Sequence, residues 1–261
     1  MPPQSPPVPI LPAATILLVR DEPAFEVLMV KRHHQIDFAA GALVFPGGKT
    51  HARDHDPAWA GRALGWEASA PGERAPRIAA LREAFEETGV LLARHGDGSP
   101  FAADPRAAAA RDEIATGRRA FLGLATELDL QIDLDALTAF ARWITPAFMP
   151  RRFDTWFYIA LAPPAQLAAC DGWETVDAEW IAPAEALRLA DLGERKVIFP
   201  TRMNLKLLAQ ASGARDAVER ARARTVVTVE PRLTESPDGR RLAIPADAGY
   251  GEVSELLSRA L

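Results

Sequence analysis

Hydrophobic and polar positions along the chain predict several β-strands. The apolar runs at residues 14–20 and 25–32 are rich in β-favouring residues and are separated by a short turn sequence, so they predict a β-hairpin. Residues 153–162 form a third β-rich run, in which aromatic residues are prominent. Two later runs, at residues 224–233 and 239–246, flank the turn sequence SPDG and predict a second hairpin.

The spacing of apolar positions also predicts helices between these strands. One helix is expected to begin near Pro76, because proline is tolerated in the first turn, and to end at Gly89. Asp104 provides an N-cap for an alanine-rich helical region that covers residues 105–128, and a further helix is predicted over residues 133–143. Two more helices are predicted over residues 183–193 and 200–213. The alternation of strands and helices indicates an α/β fold.

The order of these elements predicts one domain with extensions. Residues 1–11 are proline-rich and predict a flexible arm, and the domain itself is expected over residues 12–213. Residues 55–73 carry little periodic apolar pattern, so we expect an insertion outside the sheet, which the slow growth of loop-closure entropy allows. A helical insert is expected over about 104–141. Residues 214–261 are expected to form a C-terminal extension with the second hairpin.

The sequence REAFEETGV at residues 82–90 places three glutamates on one face of a predicted helix. Glu83, Glu86 and Glu87 stand at i, i+3 and i+4, where like charges cost roughly 0.2–0.5 kcal/mol per pair. The apolar stripe on the opposite side of the helix consists of Ile78, Leu81 and Phe85. Two interpretations follow: a solvated acidic face, or a divalent cation that supplies the missing positive charge.

Composition and charge narrow the functional classes. The chain has 261 residues and a net charge of −5, which gives no electrostatic footprint for nucleic acid. No apolar run approaches the roughly 18–20 residues that a membrane span requires. A single cysteine, Cys170, excludes an internal disulfide framework. We therefore expect a cytoplasmic globular protein, and a homodimer is compatible with this composition.

The glycine turn PGG at residues 46–48 and the glutamate helix together resemble the Nudix box, G-x5-E-x7-R-E-U-x-E-E-x-G-U, where U is bulky and aliphatic. REAFEETGV matches every fixed letter of the second half. Six positions after Gly48 stands Asp54 in place of glutamate, and from Asp54 to Arg82 the chain takes 28 steps, where the box takes eight. This interrupted box and the stretch at residues 145–160 are similar to a Nudix subgroup that includes the mammalian peroxisomal Nudix coenzyme A diphosphatase.

The resemblance implies a Nudix fold, an α/β/α sandwich around a mixed sheet, and hydrolysis of a diphosphate bond with Mg²⁺ or Mn²⁺. Glu86 and Glu87 match metal ligands, and Glu83 matches a third ligand or the group that orients water. Arg82 matches the arginine that positions a glutamate, and Gly48 matches the turn that brings backbone to the metal. The predicted catalytic residues are therefore Glu83, Arg82 and Glu87, and Asp54 occupies the position of the first box glutamate.

The resemblance also implies a small nucleotide-type substrate. Its phosphates require cations, and the candidates are Arg32, Lys49, Arg151 and Arg152. The best guess is coenzyme A or acyl-coenzyme A, because GALVFPGG and Arg32 match the ending and beginning of a coenzyme A hydrolase stretch, although its second arginine is absent. ADP-ribose, NADH and dinucleotide polyphosphates stay open as substrates, as does a non-catalytic Nudix-fold regulator that binds a nucleotide.

Two other features receive structural interpretations. Residues 51–56 contain two histidines and two aspartates, but no helix or strand is predicted to hold them, so a flexible acidic loop is expected. Trp156 and Tyr158 are expected to pack in the core, with contact to an adenine ring as the alternative.

Overall fold

The computed structural model describes residues 8–32, 41–164, 166, 175–251 and 254–260, and strands alternate with helices along them. The strands are β1 (Ile10–Arg20), β2 (Glu26–Arg32), β3 (Leu43–Val44), β4 (Gly47–Lys49), β5 (Ala63–Leu64), β6 (Ala93–His95), β7 (Leu130–Asp133), β8 (Thr138–Ile144), β9 (Arg152–Leu161), β10 (Thr175–Ile181), β11 (Thr228–Val229), β12 (Arg232–Ser236), β13 (Gly239–Ala243) and β14 (Ser254–Leu256). The helices are α1 (Pro71–Thr88), α2 (Pro105–Ala115), α3 (Phe121–Glu127), α4 (Pro183–Asp191), α5 (Phe199–Leu208), α6 (Ala214–Ala223) and α7 (Leu257–Ala260). Within these ranges, no helix is both long and apolar enough to span a bilayer.

Eight strands form one mixed sheet with the order β10–β2–β1–β9–β8–β11, in which β3 pairs with β2 and β4 pairs with β1. At its centre β1 and β9 are parallel, and residues 10–19 pair in register with residues 152–161. β1 and β2 are antiparallel neighbours and form the predicted first hairpin. The strand predicted over residues 153–162 is β9, so both predictions are confirmed.

Helices cover both faces of this sheet. Ile16 and Leu18 of β1 are buried on the side where α1, α2 and α3 pack. Leu17 and Val19 are buried on the other side, against α5 and α6. This division follows from the period of two in a strand, which directs successive side chains to opposite faces. The predicted α/β/α sandwich is confirmed.

Residues 133–143 do not form the predicted helix. β7 ends at Asp133, and β8 begins at Thr138 and pairs antiparallel with β9. The buried Phe140 and Trp143 pack in the same core cluster as Ile159 of β9. An irregularity in the register at residues 139–141 interrupts the alternation that would have indicated a strand. Pairing with β9 decides the structure here, and the predicted helical insert reduces to α2 and α3.

Helix α1 begins at Pro71 rather than near Pro76. Pro71 lies in the first turn, where a missing N–H removes no helical hydrogen bond, and Pro76 lies inside the helix. The end at Gly89 is as predicted, because Gly89 has a φ of 75° and its N–H donates to the carbonyl of Phe85 at 2.8 Å. The alanine-rich region contains two helices, since Gly117, with a φ of 71°, separates α2 from α3.

Residues 55–73 lie outside the eight-stranded sheet, as predicted. They include the last residue of the 3₁₀ turn Ala52–His55, the whole 3₁₀ turn Pro57–Gly61, and strand β5, which pairs with β7 in a separate three-stranded sheet. Trp59 is 1% exposed and packs on Phe121 with ring centroids 5.7 Å apart. The segment is therefore packed against the domain.

The C-terminal part of the chain packs on the face that carries α5 and α6. β12 and β13 form a hairpin at the predicted turn, with Ser236 opposite Gly239, but its first strand covers residues 232–236 rather than the predicted 224–233. β11 joins the large sheet beside β8 in parallel orientation. Leu242, Ile244 and Tyr250 are buried in the core of this face. The extension thus contributes to the core of the domain.

The two tyrosines of the chain are both buried, but their hydroxyl groups differ. Trp143 Nε1 donates to the Tyr250 hydroxyl at 2.8 Å, and this hydroxyl donates to Asn204 Oδ1 at 2.8 Å. The Tyr158 hydroxyl has no hydrogen-bond partner among the described residues, although the Arg77 guanidinium lies 5.0 Å from the ring centroid. Burial raises the pKa of both side chains, that of Tyr250 to about 12, so both stay protonated at neutral pH.

Tyr250→Phe is expected to lower the free energy of unfolding by about 1–3 kcal/mol, because the Trp143 N–H and the Asn204 amide oxygen lose a buried partner. Tyr158→Phe is the matched control. It removes a hydroxyl without a partner in the described part of the chain, so stability is expected to stay unchanged or rise. Urea unfolding followed by circular dichroism measures both variants, and equal losses in the two would contradict this difference.

Candidate active site

Arg82 lies at the centre of a buried network of carboxylates. Its Nε and Nη2 donate to the two carboxylate oxygens of Asp54 at 3.0 and 3.1 Å. Nη1 donates to Glu83 Oε1 at 2.8 Å and to both carboxylate oxygens of Glu86 at 3.1 Å. Nη2 also donates to the carbonyl of Lys49 at 2.8 Å. One guanidinium group therefore joins the glycine turn, the 3₁₀ turn and helix α1.

The three motif glutamates Glu83, Glu86 and Glu87 are buried, so the interpretation as a solvated acidic face is wrong. Glu83 is 6% exposed, Glu86 is 8% exposed and Glu87 is 4% exposed. The mutual repulsion of these carboxylates requires positive charge close by. The structure shows that Arg82 provides part of it, because it reaches its neighbour Glu83 as well as Glu86.

The Gly47–Gly48 turn lies directly against these carboxylates. The N–H of Gly47 donates to Glu87 Oε2 at 3.0 Å. A Cβ atom on Gly48 would lie 2.4 Å from Glu83 Oε1, which is closer than real Cβ contacts allow. Strand β4 pairs with β1, and Gly48 is opposite Ala14. The sheet therefore holds the turn in place, and the absence of a side chain at residue 48 permits the approach of Glu83.

Asp54 joins the two halves of the interrupted motif. It is 1% exposed and belongs to the 3₁₀ turn Ala52–His55, where its Oδ2 also accepts a hydrogen bond from the His51 N–H at 2.7 Å. Its two-bond pairing with Arg82 is the geometry in which a guanidinium holds a carboxylate most strongly. The prediction of a flexible acidic loop at residues 51–56 is wrong, because this turn and its buried ion pair fix the segment.

Burial and neighbouring charges act together on the protonation of the cluster. The pKa of Glu86 is raised to about 8, because burial and the charges of Glu83 and Asp54 raise it by more than Arg82 lowers it, and burial has the largest effect. Burial lowers the pKa of Arg82, but Glu83, Asp54 and Glu86 raise it by more, so it lies above the ordinary arginine value. Arg82 therefore stays charged, while Glu86 remains short of compensating positive charge.

A cleft of about 1170 Å³ borders the three glutamates and the glycine turn. Thr15 of β1 and Phe157 of β9 lie on one side of it, and Phe199 at the start of α5 lies on another. Further apolar residues line the cleft: Leu11, Val44, Phe45, Trp143, Ile144, Met149, Phe153, Ile198, Pro231 and Leu242. A concave, mostly apolar surface with a few polar groups at one place is typical of a small-molecule site.

Three of the four predicted substrate-binding residues lie at this cleft. Lys49 and Arg151 line it and are exposed. Arg152 also lines it, but its guanidinium is mostly buried, and it donates to a backbone carbonyl at 3.0 Å and to the carboxylate of Glu230. Arg32 ends strand β2, and its side chain lies outside the described part of the chain.

The cleft also contains charged residues that the sequence analysis did not identify. Lys196 lies in the segment between α4 and α5, and its carbonyl accepts a hydrogen bond from the Leu43 N–H at 2.8 Å. Asp112 reaches the cleft from α2, next to Arg111, whose Nε donates to the Glu86 carbonyl at 2.8 Å. No motif spacing connects these residues to the glycine turn, and the fold alone brings them together.

The residues around the turn suit a divalent cation that is shared with a substrate. Buried carboxylate oxygens are the ligands that Mg²⁺ and Mn²⁺ prefer, and Glu86 lacks full compensation by Arg82. In the described ranges, no three His, Cys, Asp or Glu side chains converge into a complete metal-binding group. One or two carboxylates, completed by water and substrate phosphate, are the usual ligands of Mg²⁺ at phosphate-processing sites.

A mixed sheet between two helical layers, with a glycine turn against a glutamate-bearing helix, defines a Nudix hydrolase, an enzyme that hydrolyses a diphosphate bond. The family model of the NUDT19 Nudix domain matches residues 60–203, which is more than half of the chain. The chain belongs to this family. The resemblance inferred from the interrupted box is therefore confirmed.

Known relatives support the same assignment. The human acyl-coenzyme A diphosphatase NUDT19 is 28% identical over 282 residues, which cover 91% of this chain and 75% of that protein. A putative nudix hydrolase 7 of Caenorhabditis elegans is 32% identical over 184 residues, which cover 70% of this chain and 56% of that protein. The crystal structure of a Nudix hydrolase from Alicyclobacillus acidocaldarius matches with a TM-score of 0.69 and 28% identity, over 84% of this chain and 98% of that chain.

Proposed function

We propose that this enzyme hydrolyses the diphosphate bond of coenzyme A or acyl-coenzyme A, giving 3′,5′-ADP and 4′-phosphopantetheine or its acyl form. The observation that carries the proposal is one continuous cleft that combines buried glutamates, basic residues and a large apolar lining. A nucleotide with three phosphates requires the cations, and a pantetheine arm suits the apolar part. The human and Xenopus laevis relatives are named acyl-coenzyme A diphosphatases, which supports this substrate class.

We assign the box residues as follows. Glu86 and Glu87 hold Mg²⁺ or Mn²⁺, and Glu83 serves as a third ligand or orients the attacking water. When bound, the cation neutralises phosphoryl oxygens and lowers the pKa of water. Arg82, fixed by Asp54, positions Glu83 and Glu86 through its hydrogen bonds. In the reaction the water oxygen bonds to one phosphorus, and the bridging oxygen leaves with the other phosphate.

The basic residues of the cleft are proposed to bind the substrate phosphates. Lys49 follows the glycine turn, and Lys196 and Arg151 border the same cleft. We favour Arg151 for the 3′-phosphate of coenzyme A, because a planar guanidinium can hold a phosphate through two hydrogen bonds. Arg152 is the weaker candidate, since its side chain is only 12% exposed, whereas Arg151 is exposed at the cleft.

A comparison of substrates tests the proposed function. Turnover of coenzyme A, dodecanoyl-coenzyme A, ADP-ribose and NADH is measured with Mg²⁺ and with Mn²⁺, and products are identified by mass. Coenzyme A or its acyl form is expected to have the highest kcat/KM. A preference of about tenfold or more for ADP-ribose or NADH would overturn the coenzyme A assignment, and absence of any turnover would favour a nucleotide-binding regulator. The preferred metal, the cytoplasmic location and the homodimer stay predictions.

Arg151→Ala is expected to lower kcat/KM for coenzyme A at least about tenfold more than for dephospho-coenzyme A, because only the former carries the 3′-phosphate. Arg188→Ala, at an exposed arginine of α4 paired with Glu185, is the control and is expected to change neither value. Steady-state kinetics with both substrates provide the comparison. An equal loss for the two substrates would show that Arg151 does not recognise the 3′-phosphate.

A further inference from the structure

The C-terminal extension contributes to the substrate cleft. Pro231 and Leu242 line it, and both follow the residues 60–203 that the family model matches. Leu242 is 3% exposed and lies on the middle strand of the three-stranded sheet β12–β13–β14, opposite Leu233 and Glu255. Pro231 and Leu242 therefore form a wall of the cleft that comes from the extension, whereas the glutamates come from α1.

The wall is fixed to the domain by buried contacts. Trp143 borders the cleft, donates to Tyr250, and packs edge-on against Phe199 with ring centroids 5.7 Å apart. The Tyr250 ring packs against Trp143 at 5.5 Å. Arg152, the first residue of β9, forms an ion pair with Glu230, which directly precedes Pro231. Contacts of this kind hold the extension as a fixed wall.

The chemistry of this wall points to an apolar ligand. Leu242 of the wall belongs to one buried apolar cluster with the neighbouring Trp143, Phe157 and Phe199 of the domain, and all four also border the cleft. Such surfaces gain free energy by covering methylene groups, whereas a phosphate or ribose would lose hydration there without receiving hydrogen bonds. A flexible hydrocarbon chain attached to a diphosphate compound suits both the wall and the neighbouring charged site.

We propose that this wall binds the fatty acyl chain of acyl-coenzyme A and that Leu242 determines which chain lengths are accepted. This inference rests on the proposed function and adds a subsite to it. Affinity rises with each methylene group that leaves water, until the end of the chain meets the Leu242 side chain. Chain-length preference is then a property of the extension, while the diphosphate chemistry is a property of the glutamate helix.

Substitutions at Leu242 test the subsite. Leu242→Trp is expected to lower the ratio of kcat/KM for dodecanoyl-coenzyme A to that for coenzyme A by about tenfold, because the indole occupies space needed by the chain. Leu242→Ala is expected to shift the preference towards tetradecanoyl-coenzyme A by about threefold or more. Leu233→Trp is the matched control, since Leu233 is the cross-strand neighbour of Leu242, is 39% exposed and is expected to leave both ratios unchanged.

A second measurement separates the subsite from the proposed function. Binding of cis-parinaric acid, a fluorescent fatty acid, is titrated without metal, so that no diphosphate chemistry is involved. Wild type and Leu233→Trp are expected to bind it alike, and Leu242→Trp about tenfold more weakly. Wild type that cleaves no coenzyme A but shows this binding pattern would refute the function and keep the subsite. Ratios within about twofold of wild type in both Leu242 variants, with coenzyme A turnover retained, would overturn the subsite. If the protein cleaves no coenzyme A, equal binding of cis-parinaric acid by wild type and Leu242→Trp would also overturn the subsite.

Discussion

Glu87→Gln is expected to reduce turnover by about three orders of magnitude while the fold persists. Glutamine keeps the size of the side chain, and its amide oxygen can still accept the hydrogen bond that the Gly47 N–H donates to Glu87 at 3.0 Å. What disappears is the negative charge that we assign to the cation. The kcat value, the circular dichroism spectrum and Mn²⁺ binding followed by electron paramagnetic resonance are measured together.

The control for this variant is Glu113→Gln. Glu113 lies on α2, its side chain is 51% exposed, and it pairs with Arg119 at 3.9 Å, so turnover is expected to change by less than about twofold. A folded Glu87→Gln protein with undiminished turnover would remove the glutamate helix from the chemistry. If turnover is undiminished but Mn²⁺ binding is weaker, then Glu87 binds the metal, but the reaction does not depend on that metal.

Asp54→Ala is expected to lower the free energy of unfolding by about 3 kcal/mol, at the low end of the range for a broken buried ion pair. Asp54 and Arg82 share two hydrogen bonds in a position where water has little access. Glu83 and Glu86 remain on Arg82 and limit the loss. Because Arg82 positions these two glutamates, kcat is expected to fall as well, at temperatures where the variant is folded. Urea unfolding and steady-state kinetics measure the two effects.

Asp56→Ala is the matched control for Asp54→Ala. Asp56 lies two residues further along and caps the next 3₁₀ turn by accepting a hydrogen bond from the Ala58 N–H at 2.9 Å. Loss of such a cap costs about 1 kcal/mol and leaves Arg82 untouched. If Asp54→Ala and Asp56→Ala lose the same stability, the ion pair with Arg82 contributes less than its geometry indicates.

Local patterns in the sequence predicted the parts of the site that depend on neighbouring residues. The i, i+3, i+4 spacing placed Glu83, Glu86 and Glu87 on one face, and Gly89 ended the helix where a left-handed conformation is needed. Proline at both Pro71 and Pro76 left the start of α1 ambiguous, because either can occupy a first turn. β8 was missed because its register irregularity hides the period of two.

Contacts between distant parts of the chain could not be predicted in this way. The burial of Asp54 depends on Arg82, which the insertion separates from it, so a sequence window shows only an acidic loop. Lys196 and Leu242 reach the cleft because α5 and the extension pack on one face of the sheet. The resemblance to the Nudix box predicted the fold and the diphosphate chemistry. The residues that form the walls of the cleft could be identified only from the three-dimensional structure.

The parallel pairing of β1 with β9 determines when the central sheet can be completed during synthesis. At translation rates of about 5–20 residues per second, residues 10–19 leave the ribosome roughly 7–30 seconds before residues 152–161. During that interval β1 has β2 as a local partner, while its other edge is open to association with other chains. Strand β4, which carries Gly47 and Gly48, pairs with β1. The glycine turn can therefore pair with β1 as soon as residues 47–49 are made, whereas β1 gains its second neighbour only when residues 152–161 follow. Until then the open edge of β1 is a site for unwanted pairing with other chains.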